Sequence, residues 1–131
     1  LVVDTSAVIA VLANEPEREH LIQRTRGARL LAPYSVHWEI GNAFSAMLRR
    51  DRINLTQAVR GIQLYQAIPI KLVDVSLEGA LEIADAFEIY AYDAYLIRCA
   101  LTYSAPLLSL DGRLIEVAKQ VGVPVIEVSE S

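Results

Sequence analysis

The sequence predicts a three-layer α/β fold with a central parallel sheet of about five strands. Five short segments rich in Leu, Val and Ile, at residues 1–3, 29–32, 71–75, 106–110 and 124–128, read as strands buried on both faces, because none alternates cleanly between apolar and polar. Between them lie stretches with apolar residues three and four apart, at 35–50, 56–67, 77–89, 94–103 and 113–121, the spacing of amphipathic helices. Turn chemistry falls at the joints: Pro33 and Tyr34 precede one helix, Pro69 precedes a strand, Ser76 can cap a helix, and Gly122-Val123-Pro124 closes the last one. Strands that alternate with helices become parallel strands joined by right-handed crossovers, with helices on both faces of the sheet. Ligands bind such sheets at the carboxyl ends of the strands.

With 131 residues, 53% of them hydrophobic and 21% charged, the chain suits one globular domain over residues 1–131. No apolar stretch approaches the roughly 20 residues that span a bilayer. No basic segment leads into an apolar one either, so a soluble cytoplasmic protein without a membrane anchor is expected. Cys99, the one cysteine, lies in the apolar run Tyr95-Leu96-Ile97-Arg98-Cys99-Ala100-Leu101 and is expected to pack as a small hydrophobe. A formal net charge of -4 argues against a protein that grips nucleic acid by neutralising phosphates over a broad surface. It leaves room for a nuclease whose carboxylates hold divalent cations, since the ions then supply the local positive charge.

The positions of the carboxylates therefore carry most of the information. Asp4 closes the first strand and is followed at once by the hydroxyl residues Thr5 and Ser6; Asp111 repeats the arrangement after the fourth strand. Asp93 opens the helical run 94–103, and Glu39 falls in the first turn of helix 35–50, at the edge of the stripe Val36, Ile40, Ala43, Met47 and Leu48. Each has an ordinary reading: helix caps for Asp4 and Asp93, an Asp-Gly turn for Asp111, a dipole-favoured surface acid for Glu39. Together they suit metal-assisted phosphoryl transfer, because Mg²⁺ and Mn²⁺ prefer hard oxygen ligands and keep waters for substrate and nucleophile. Several carboxylates gathered without a cation would repel one another and titrate high.

The segments Val2-Val3-Asp4-Thr5-Ser6-Ala7-Val8, Glu39-Ile40-Gly41-Asn42, Tyr92-Asp93-Ala94 and Leu107-Leu108-Ser109-Leu110-Asp111 resemble, in order, those of PIN domains of the VapC toxin type. The resemblance implies a parallel sheet of about five strands flanked by helices, with the family's acidic quartet on Asp4, Glu39, Asp93 and Asp111 as metal ligands and catalytic residues. It places Ser6 and Asn42 as supporting residues. It also places Ser109 where the family often carries Thr, which keeps a hydroxyl able to orient a neighbouring carboxylate. The implied activity is Mg²⁺- or Mn²⁺-dependent endonucleolytic cleavage of RNA. The implied partners are a VapB-like antitoxin that covers the active-site groove and a second copy of the chain in a homodimer.

Arg113, two residues beyond Asp111, is the best placed basic residue for a phosphate contact; the clusters Arg49, Arg50, Arg52 and Arg18, Arg24, Arg26, Arg29 read as solvated surface. His20 and His37 lack metal-ligand spacing. Of Trp38, Phe44, Ile62, Leu64 and Tyr65, Trp38 points furthest from the apolar stripe on a helical wheel, towards a covering loop, a dimer mate or an antitoxin. Two other readings use strand-end aspartates. A phosphotransfer domain would need a second aspartate two residues after Asp4, where Ser6 stands, or an acidic pair beside a phosphoacceptor such as Asp74. A non-catalytic PIN-like binding module would be marked by the loss of an acid, and all four are present.

Overall fold

The computed structural model describes residues 1–128. The elements run β1 (Val2–Val3), α1 (Thr5–Leu12), α2 (Arg18–Thr25), β2 (Leu30–Pro33), α3 (Tyr34–Arg49), α4 (Leu55–Ala67), β3 (Ile70–Val73), α5 (Leu77–Phe87), α6 (Ala91–Thr102), β4 (Leu107–Leu108) and α7 (Gly112–Val121). The strands form a parallel sheet in the order β3-β2-β1-β4, with Val2 opposite Leu31 on one side and Leu107 on the other. The order puts β1 in the interior, where Val2 and Val3 are buried, and β3 at an edge, where Lys71 reaches solvent.

Four strands stand where five were expected. Segment 124–128 contributes one bridge, Leu107 to Val125, in which the Leu107 amide donates to the Pro124 carbonyl at 2.8 Å and the Ile126 amide to the Leu107 carbonyl at 2.9 Å. β4 offers only two residues to pair with, and Pro124 has no N–H to extend the ladder.

Apolar side chains from every layer meet in the core, where Ile40, Ile97, Leu107, Leu108 and Leu114 are almost completely buried. Helix α6 packs on β1, β2 and β4 with α5 against it, while α1 contacts α2, α3 and α4. Helix α4 opens with a capping box: Asn54 Oδ1 accepts from the Gln57 amide at 2.8 Å and Gln57 Oε1 accepts from the Asn54 amide at 2.9 Å. Its Gly61 lets the Phe44 ring of α3 seat against the bare backbone, since a Cβ there would lie 2.5 Å from Phe44 Cζ.

Two helical glycines should therefore respond in opposite ways. In urea titrations Gly61→Val is expected to cost about 1–3 kcal/mol through overpacking against Phe44. Gly41→Ala, exposed in the middle of α3 with nothing within 4 Å of the new Cβ, is expected to gain up to about 1 kcal/mol from helix propensity. Similar responses at the two positions would contradict this packing.

Candidate active site

Asp4 leaves β1 with extended backbone and caps α1, its Oδ1 accepting from the Ala7 amide at 3.0 Å. Capping alone does not explain the rest of its surroundings. The carboxylate is 4% exposed and also accepts from Ser109 Oγ at 2.5 Å on Oδ2 and from Ser6 Oγ at 2.7 and 2.9 Å. Each serine oxygen in turn accepts a backbone N–H of the segment after β4, Ser6 from Leu110 at 3.0 Å and Ser109 from Asp111 at 2.9 Å. With those amides occupying lone pairs, the hydroxyl protons are directed at Asp4. The ends of β1 and β4 are thereby tied together through one carboxylate.

Asp111 caps α7, with Oδ1 accepting from the Arg113 amide at 3.0 Å and the Leu114 amide at 3.3 Å. Glu39 lies in the second turn of α3, because that helix begins at Tyr34; the first-turn placement expected from sequence is thus corrected, and the macrodipole does not account for this acid. Its Oε2 accepts from Thr5 Oγ1 at 2.9 Å. Thr5 had been noted only as one of two hydroxyls after Asp4, and the signal for its role was that adjacency. Asp93 is not the cap of α6. Tyr90 holds that position, the helix starts at Ala91, and Asp93 sits half-buried in its first turn.

Electrostatics link the four acids. Burial raises the Asp4 carboxyl above its ordinary range against the pull of its hydrogen bonds, and Asp111 pushes it further. Burial likewise raises Glu39, with Thr5 opposing and Asp4 and Asp93 adding to the rise. Asp93 is raised by burial and by Asp111, with Arg113 opposing. The couplings close a ring through Asp4, Asp111, Asp93 and Glu39.

Ser6 and Ser109 lie at the centre of this network. Asn42, one turn beyond Glu39, is exposed and enters none of these bonds. Arg113 Nη2 donates to the Glu88 carbonyl at 3.1 Å, where α5 ends in a left-handed residue with φ 54°, so the guanidinium braces the α5–α6 turn as well as facing Asp93. Asp74 is exposed beyond edge strand β3 and takes no part in the ring. Burial pushes the Cys99 thiol up to about 11, which suits a packing role and not a nucleophile. Of the apolar residues noted on α3 and α4, Phe44 and Tyr65 are buried, Ile62 partly so, and Leu64 and Trp38 exposed, Trp38 by 72%.

Among the described residues no three acidic, imidazole or thiol groups are drawn together closely enough to enclose one ion. Mg²⁺ does not require that, since it is commonly held by one or two carboxylates with retained waters and substrate oxygens. An all-oxygen set of coupled carboxyls, with Asp4, Glu39 and Asp93 raised, fits such a cation, whose charge would reverse the repulsion.

Asp93 lies at a helix N-terminus, which favours its charge, yet its carboxyl titrates high, so burial and Asp111 outweigh the dipole. A raised acid binds more protons folded than unfolded once pH passes its unfolded value, so it lowers stability increasingly as pH rises and the loss persists at neutrality. In EDTA, Asp93→Asn is therefore expected to raise Tm at pH 7 by about 2–4 °C and by less at pH 4.5. A Tm that falls at pH 7, or a gain independent of pH, would contradict the repulsive ring.

A profile of the PIN domain family matches residues 1–120. A VapC ribonuclease of Mycobacterium bovis and ribonuclease VapC9 of Mycobacterium tuberculosis are each 29% identical to this chain over 116 residues, 87% of either length. The fold is similar to the crystal structure of a Pyrobaculum aerophilum protein, with a TM-score of 0.72 and 23% identity over 88% of this chain and 84% of that one. It is also similar to a chain of a toxin–antitoxin complex from Klebsiella pneumoniae, with a TM-score of 0.70 and 13% identity over 99% and 98%. The family profile covers the sheet, all seven helices but the last residue of α7, and every acid of the ring, and this chain belongs to the PIN domain family.

Proposed function

We propose that this chain is a metal-dependent endoribonuclease, the toxin of a VapBC-type toxin–antitoxin pair. The observation that carries the reading is the ring of electrostatically coupled carboxylates at the carboxyl edge of a PIN-family sheet. The relatives of similar length bear the name ribonuclease, and a structural neighbour from Klebsiella pneumoniae is a toxin–antitoxin complex. On this reading RNA is the substrate, a VapB-like antitoxin and a second copy of the chain are the partners, and the cytoplasm is the site of action. No helix among the described residues is long and apolar enough to cross a membrane.

Asp4, Glu39, Asp93 and Asp111 would hold Mg²⁺ or Mn²⁺. The bound cation supplies activation of the attacking water and offsets negative charge that builds at the phosphodiester. The protein's own part is orientation. Ser6 and Ser109 fix both oxygens of Asp4, and Thr5 fixes Glu39, so these ligands lose little freedom when an ion binds. Asn42, three residues beyond Glu39 on α3 and outside the present hydrogen bonds, would act only on a bound ion, its water or the substrate. Arg113 contacts a substrate phosphate by exchanging its Glu88 carbonyl for a charged acceptor.

Purified protein is expected to cleave total bacterial RNA with Mg²⁺ or Mn²⁺ and to stop in EDTA, with Asp4→Asn inactive but folded. Thr5→Val, which keeps shape and removes the hydroxyl, is expected to lose about 10–100-fold in metal affinity or rate, and Thr5→Ser to restore most of it. Cleavage that persists in EDTA, or at wild-type rate in Asp4→Asn, would overturn the reading.

A further inference from the structure

Beside the acid ring lies a cavity that the proposed chemistry does not use. It has a volume of about 220 Å³ and opens at the carboxyl ends of β2 and β3, lined among others by Tyr34, Ser35, Asp74, Val75, Leu77 and Tyr95. It is open to solvent, so a flat ring can reach its walls.

Three observations describe what it would accept. First, its walls are aromatic and aliphatic: Tyr34 is half exposed, and the Tyr95 ring is held edge-on to Tyr92 at 6.0 Å between centroids and 89° between planes. Such rings are the platforms on which unpaired RNA bases stack. Second, its accessible charged group is the exposed Asp74 carboxylate, while the Ser35 Oγ is buried within the wall. A carboxylate repels phosphate and accepts only, so it selects the N–H edge of a base over the sugar-phosphate backbone. Third, Ser35 and Glu39 are four residues apart on α3, hence neighbours on one face, with Cβ atoms roughly 5–6 Å apart. The cavity is therefore adjacent to Glu39 of the ring.

We propose that this cavity is a specificity subsite for an unpaired guanine next to the scissile phosphate. Guanine presents two adjacent N–H donors, N1–H and the N2 amino group, which match the two oxygens of one carboxylate in a bidentate, charge-assisted pair. Cytosine and adenine offer a single exocyclic amino group and uracil a single imino N–H, so none satisfies both carboxylate oxygens. The inference rests on the ribonuclease reading for its biological meaning, but the binding step does not.

The test is titration of metal-free protein with guanosine, inosine, adenosine, cytidine and uridine, followed by the NMR signals of the Tyr34 and Tyr95 rings and the Ser35 amide. Saturable shifts are expected with guanosine. Inosine, which lacks the N2 amino group, should bind about tenfold more weakly, and Asp74→Ala should lose at least about tenfold for guanosine, as expected for a charged hydrogen bond. Asp74 is exposed, so the variant is expected to keep the wild-type spectrum outside the cavity. Absence of shifts, equal shifts with all five nucleosides, or unchanged affinity in Asp74→Ala would overturn the subsite. RNA cleavage without guanosine binding would remove this inference alone. Guanosine binding without cleavage would leave the subsite and remove the nuclease.

Discussion

The structure depends on one buried, hydrogen-bonded carboxyl group. Asp4 is placed at the end of a two-residue strand, almost wholly out of water, and burial works against its ionised form. Two hydroxyls and one amide answer that cost, and hydrogen bonds to a charged group contribute about 1.5–3 kcal/mol each. The same bonds solve a second difficulty. β1 and β4 are too short to hold each other firmly by ladder bonds, and Ser6 and Ser109 lock their ends through the Leu110 and Asp111 amides. The Asp111 cap, and with it the start of α7, takes its position from that lock. An apolar residue at position 4 would end the strand equally well and leave the hydroxyls with nothing to hold.

From this anchor the remaining acids take positions that stability alone would not favour. Glu39, Asp93 and Asp111 come from α3, α6 and the α7 cap, three elements widely separated in sequence, and each adds repulsion to at least one of the others. A chain with net charge -4 has ample surface on which to spread its acids. Concentrating four at a strand-end edge makes sense where a cation and an anionic substrate meet. Arg113 moderates the repulsion at Asp93 without cancelling it, partly because its guanidinium is also engaged with the Glu88 carbonyl.

Strand-end residues were legible in the sequence because the motifs are local: an apolar run, then Asp4 with two hydroxyls, then a helix; an apolar run, then Asp111-Gly112. Helix α6 was misplaced at its start since Ala91 and Tyr92 carry no apolar period, and Asp93 is a better cap by composition than Tyr90. Contacts between residues distant in sequence were not legible. Thr5 meets Glu39 across 34 positions, Ser109 meets Asp4 across 105, and the Glu88 carbonyl meets Arg113 across 25. The fifth strand was overcounted because periodicity reports burial and not pairing, and 124–128 is packed with only a single bridge to Leu107. Nothing local pointed to the cavity between Tyr34, Asp74 and Tyr95, which three separate elements build.

The mutual electrostatics of the four acids can be measured directly. Carbon-13 NMR titration of the Asp and Glu carboxyls, with and without Mg²⁺, should show Asp4, Glu39 and Asp93 above the ordinary carboxyl range in metal-free protein, falling together when the ion is added. Ordinary titration in both conditions, or a response to Mg²⁺ confined to acids outside the ring, would contradict a carboxylate site built to hold a cation.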